Sequence, residues 1–109
     1  MKEPVQIAEM IEKAIAALGE EGRKSEGLIE AKAKSMAEYD KQFAVACAKL
    51  KANGVPVGMI DRLAKGETAE ILYARIVAEE ALRAHYARME QLQAQLNGLQ
   101  SLNRYLSVL

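Results

Sequence analysis

The sequence predicts an all-α protein: a long antiparallel two-helix coiled-coil hairpin with a short helix in its connector, assembling into a helical bundle. Three observations carry this reading. Half of the 109 residues are hydrophobic, but alanine supplies much of that half, with four Tyr, one Phe and no Trp. Such a composition suits long helices packed along narrow seams better than a bulky globular core. Apolar residues also recur at alternating steps of three and four, the signature of helices that share a seam. Finally, helix-breaking residues are concentrated at one place, Asn53–Gly54 followed by Pro56.

The first helix is expected over residues 4–52. Pro4 suits a first helical turn, and Glu3 before it complements the positive end of the helix dipole. The seam then reads Ala8, Ile11, Ile15, Leu18, Gly22, Ser25, Ile29, Lys32, Met36, Tyr39, Phe43, Ala46 and Leu50. Between Leu18 and Gly27 three glycines each weaken a helix by about 1 kcal/mol relative to alanine. Leu18 and Ile29 nevertheless stay in phase, so a continuous, weakened helix is expected, with a bend or break near Gly19–Gly27 as the main risk.

Asn53–Gly54 closes this helix because both residue types tolerate a left-handed cap, and Pro56 keeps it from resuming. Met59, Ile60, Leu63 and Ala64 give the connector, residues 53–66, one short apolar helical face that Gly66 ends. The last helix is expected over residues 67–107. Its frame is Ala78, Leu82, His85, Met89, Leu92, Leu96 and Leu99, after which Leu102, Leu106 and Leu109 shift phase by a three-residue stammer. Residues 1–109 thus read as a single helical-hairpin domain. Folding about residues 58–60 would set Gly22 beside Asn97–Gly98.

Leu28, Val45, Leu72, Ile76 and Tyr86 fall off both frames, and exposed apolar surface usually has a partner. Residues 91–109 contain six Leu, Val108 and a single charge, Arg104. A helix so poor in charge predicts self-association as a dimer or tetramer, or docking to another protein, through Leu92, Leu96, Leu99, Leu102 and Leu106.

Fifteen basic and fifteen acidic residues give a net charge of zero, which argues against a general polyanion binder. The single Cys47 excludes an intramolecular disulfide. No apolar run reaches the ~20 residues of a membrane span, and Met1 to Pro4 does not open a signal peptide. A cytoplasmic protein is expected.

No pattern for catalysis stands out. One histidine and one cysteine cannot build a structural zinc site, and His85 lacks the Glu-x-x-His spacing of a di-iron bundle because Leu82 precedes it. His85 reads first as a seam residue, with a pH-sensitive or ligand role as the sharper alternative. Cys47 reads as a small hydrophobe rather than a nucleophile. Glu20–Glu21, Glu79–Glu80 and Glu26/Glu30 sit beside Arg23, Lys24, Arg75 and Arg83 and read as charged helix faces. Phosphate loops, dinucleotide fingerprints and nucleophile elbows are missing from the sequence. The chain therefore reads as non-enzymatic, with no cofactor and no metal. The connector offers one alternative, a basic tip of Lys49, Lys51, Arg62 and Lys65 that contacts nucleic-acid phosphate.

The run LKANGVPVGMIDRLAKG and the helix after it resemble small helical proteins of phages and prophages. The matching residues are Leu50, Ala52, Gly54, Pro56, Val57, Ile60, Leu63, Ala64, Gly66, Arg75, Ala78, Glu79 and Tyr86, within about residues 36–100. The resemblance brings no catalytic signature. It implies a setting in the host cytoplasm among phage recombination and replication functions. Together these readings predict a phage or prophage accessory protein that self-associates and inhibits or scaffolds a host or phage protein. The alternative is a nucleic-acid-binding accessory factor. A hairpin secretion substrate ranks last, since its W-x-G turn needs a tryptophan.

Overall fold

A computed structural model describes residues 3–108. They form four α-helices, α1 (Pro4–Gly22), α2 (Ser25–Ala52), α3 (Val57–Glu67) and α4 (Ala69–Val108), and no strand occurs among the described residues. None of these helices is long and apolar enough to cross a membrane. Leu109, assigned above to the last seam position, lies outside the described residues.

Each joint has a local cause. Pro4 occupies the first turn of α1, and the Glu3 amide donates to Gln6 Oε1 at 3.2 Å. At the end of α1 the Arg23 amide bonds the Gly19 carbonyl at 3.2 Å, while the Lys24 amide reaches back only three residues to Glu21 at 3.1 Å. This tightened turn joins α1 to α2 as a long bent helix. The bend thus sits at Arg23–Lys24, and Gly19, Gly22 and Gly27 all lie inside helices.

The end of α2 is a Schellman motif. Val55 N–H donates to Leu50 C=O and Gly54 N–H to Lys51 C=O, each at 3.1 Å. Gly54 has φ +78°, the left-handed conformation this cap requires, and half-buried Leu50 and Val55 bracket it. Gly66 does not end the connector helix as expected. It lies within α3 without a positive φ, and the helix is interrupted only at Thr68 (φ −106°, ψ 13°). The buried Thr68 hydroxyl donates to the Ala64 carbonyl at 2.7 Å, competing with regular helix at that point.

The chain divides into two compact units. One comprises the chain up to Glu26 together with Arg83 onward. In it the inward positions are Ile7, Ile11, Ala14, Leu18, Glu21 and Ser25 on one strand of helix, and His85, Met89, Leu92, Leu96, Leu99 and Leu106 on α4. Completely buried Ile7 and nearly buried Leu96 each contribute about 1.5–3 kcal/mol by leaving water. Leu106 is half-buried in step with Leu92 and Leu99, while Leu102, where the expected phase shift begins, is 39% exposed.

The other unit spans Gly27–Leu82. Leu28, Lys32, Ser35, Tyr39, Gln42 and Ala46 turn inward on α2, with Ile71, Arg75, Ala78 and Leu82 on α4. Buried Ala64 and Thr68 bring the end of α3 into the same core. The Arg75 guanidinium lies 5.3 Å over the Tyr39 ring, 2.9 Å from Glu79 and 3.8 Å from Asp40. Tyr39 in turn stacks on Phe43 at 5.9 Å.

Over α1 and the start of α2, alternate positions of the expected seam are displaced by one residue, whereas Met36, Phe43 and Leu50 stay half-buried as expected. Ile11, Leu18, Ser25, Lys32, Tyr39 and Ala46 face inward as expected. Ile15 and Ile29 are about half exposed, and Ala14 and Leu28 take their places. Glu21 likewise takes the place assigned to Gly22, for a reason found on α4.

Candidate functional site

The buried side chains of the first unit include a polar cluster. Glu21 lies in the last turn of α1, Ser25 opens α2, and His85 and Arg88 stand one turn apart on α4. His85 is completely buried and Glu21 is 7% exposed. Ser25 Oγ lies 2.7 Å from His85 Nε2, and His85 Nδ1 lies 2.8 Å from Glu21 Oε1. Arg88 Nε donates to the same Oε1 at 3.0 Å, and Lys24 Nζ reaches Oε2 at 3.2 Å.

The electrostatics follow from these contacts. The hydrogen bond from His85 holds the Glu21 carboxyl down to a pKa of about 2, helped by Arg88 and Lys24 and opposed by burial. Glu21 is therefore ionised at neutral pH and accepts only. Nδ1 of His85 donates to it, and with the ring in its neutral form that tautomer leaves Nε2 to accept the Ser25 hydroxyl proton. No fully buried side-chain nitrogen or oxygen is left unpartnered among the described residues.

Four polar residues meeting at one level explain why Glu21 faces inward. The carboxylate gains three charge-assisted hydrogen bonds there, and Gly22 is left beside Met89, whose Cε would lie 3.8 Å from an added Cβ. This pairing corrects the expected neighbour of Gly22, Asn97–Gly98, by more than two helical turns. The expected fold point assumed a symmetric connector, whereas α3 is a separate helix that runs to Glu67. His85 on the apolar frame was the one sequence signal pointing here. Its partners were unreadable because Glu21 and Ser25 looked like ordinary solvent-face and weak seam residues.

A second feature of this unit is an apolar groove of about 550 Å³ between α1 and α4. Met10, Ala14 and Ala17 line one side and Leu92, Leu99 and Leu102 the other, with Gly98 leaving its wall low. The expected interface leucines thus separate. Leu92, Leu99 and Leu102 border the groove, Leu96 belongs to the unit's own core, and Leu106 is half-buried. Tyr105 and Val108, on the same stretch of α4, are 63% and 84% exposed.

The basic residues of the connector are all exposed. Lys49 and Lys51 occupy the last turn of α2, where positive charge complements the helix dipole. Lys65 pairs with Asp61 at 2.9 Å, and Arg62 lies on the same helix, α3. Lys49 and Glu67 border one small recess. Cys47 is half-buried on α2. No cluster of three histidine, cysteine or acidic residues suited to a metal occurs among the described residues. No protein family, curated protein or solved structure matches this chain.

Proposed function

We propose that the protein works by helix-to-helix association, as an antiparallel coiled-coil hairpin whose α1–α4 groove receives an apolar helix from a second copy of the chain. The groove itself carries this reading. It is lined mainly by Met10, Ala14, Ala17, Leu92, Leu99 and Leu102, with Lys13 and Gln95 at its wall, and continues a stretch of α4 that bears a single charge, Arg104. Small residues at Ala14, Ala17 and Gly98 leave room for close approach of another helix, and burial of Leu102, Tyr105 and Val108 would drive it. The heptad spacing of the inward residues in each unit supports the coiled-coil part of the proposal. A scaffold or inhibitor in a phage setting would use the same face on a heterologous helix, and the phage-protein resemblance of the connector favours such a role.

Size-exclusion chromatography with light scattering over a concentration series tests the proposal. A dimer or tetramer that Leu102→Glu converts to monomer is expected. A monomer mass independent of concentration would overturn self-association.

A further inference from the structure

We infer that Ser25 is an activated nucleophile that accepts acyl groups from small esters, with His85 as its base and Glu21 as the residue that positions the base. This activity goes beyond the association proposal, and its residues are separate from those lining the groove.

The geometry supplies each required relation. The Ser25 hydroxyl and His85 Nε2 are at hydrogen-bond distance, 2.7 Å, and the opposite ring nitrogen is anchored to Glu21 at 2.8 Å. That is the order of contacts in which a carboxylate orients an imidazole and the imidazole deprotonates a hydroxyl. His85 is buried and cannot turn towards water, whereas Ser25 retains solvent exposure through which a reagent can approach. Arg88 uses only Nε on Glu21, and its side chain is 52% exposed. Its terminal N–H groups therefore remain to attract an anionic ester.

The chemistry balances with groups present in the chain and the ester. Ser25 Oγ attacks the carbonyl carbon as its proton passes to His85 Nε2. The tetrahedral adduct collapses, the bond from carbon to the leaving oxygen breaks, and the departing alcohol takes the proton from Nε2. A serine ester and a neutral His85 remain. Water attacking that ester, with its proton passing through the same nitrogen, frees the acid and restores the hydroxyl.

The test is labelling of the full chain with a fluorophosphonate probe, in which Ser25 Oγ displaces fluoride from phosphorus, followed by peptide mapping. Ser101 and Ser107, both exposed, provide the reference within the same molecule. Ser25 is expected to label faster than either by on the order of 10²-fold, the usual contribution of a positioned base. His85→Gln should remove most of that advantage. Glu21→Gln should reduce it with helical content unchanged by circular dichroism, and Glu21→Asp should restore part of it. Labelling of Ser25 at the rate of Ser101 and Ser107 in the unaltered protein would overturn the inference, whether or not any variant folds.

Discussion

Replacing Glu21 by alanine tests the account of the polar cluster most directly. The carboxylate accepts from His85 Nδ1, Arg88 Nε and Lys24 Nζ at 2.8, 3.0 and 3.2 Å. The three donors fare differently once it is gone. Arg88 and Lys24 keep more than half of their side chains in water and resolvate, so each loses ~0–1 kcal/mol. His85 is completely buried, and its orphaned Nδ1–H carries a desolvation penalty of about 1–3 kcal/mol. The expected total is about 2–4 kcal/mol of lost stability, near the range for breaking a buried ionic contact from one side. A double-mutant cycle isolates the cause. With His85→Leu already in place no buried donor is stranded, so Glu21→Ala should cost at least ~1 kcal/mol less. Urea denaturation followed by circular dichroism, at one fixed protein concentration, measures all four corners. A single-mutant loss below about 1 kcal/mol, or strictly additive effects, would refute the reasoning.

Other predictions follow from the same structure. Because the Glu21 pKa is lowered from 4.5 to about 2, its contribution to stability is present above pH 4.5 and is lost as the pH falls towards 2. Acid titration of the urea midpoint should show that loss in the native sequence and a flatter curve in Glu21→Gln. Gly54→Ala forces a side chain into φ +78° and should cost about 1–2 kcal/mol. Gly27→Ala, inside α2 with nothing but its own helix backbone near the added carbon, should stabilise by roughly 0.5–1 kcal/mol. Thermal melts of the two variants check the opposite signs. Leu96→Ala removes a 7% exposed core residue and should cost about 2–4 kcal/mol in urea melts, whereas Leu102→Ala at the open groove should cost clearly less.

The helical architecture was legible because strong local signals agreed. Pro4, the Asn53–Gly54 cap and Pro56 mark boundaries by backbone chemistry alone, and the structure adds only the hydrogen bonds that realise them. The α4 frame from Ala78 to Leu99 was also readable, since large side chains and inward positions coincide there. Over α1 and α2 they diverge. Ile15 is bulkier than Ala14 and Ile29 is comparable with Leu28, so bulk pointed to the wrong neighbour at these two positions. Choosing correctly required the knowledge that Glu21 would be neutralised by residues more than sixty positions away. Periodicity cannot encode a contact of that kind. Thr68 was obscure for a different reason. Its break depends on a hydroxyl finding the Ala64 carbonyl in a buried setting, whereas Gly66 looked like the stronger breaker on composition.

The polar cluster also bears on how this chain avoids mistakes while it folds. Two helices with repeating small and aliphatic faces can zip together in several alignments, each burying a similar amount of hydrocarbon. A slide of one heptad in one direction would set Glu21 against Leu92, and in the other direction His85 against Leu18. Either mismatch strips Glu21 of both its α4 partners, leaving it Lys24 alone, or buries a ring nitrogen against hydrocarbon, a penalty of several kcal/mol that water relieves as soon as the helices part. Misaligned pairs are therefore short-lived, and the chain proofreads its own zippering before the correct alignment is locked by a serine, a histidine and a carboxylate.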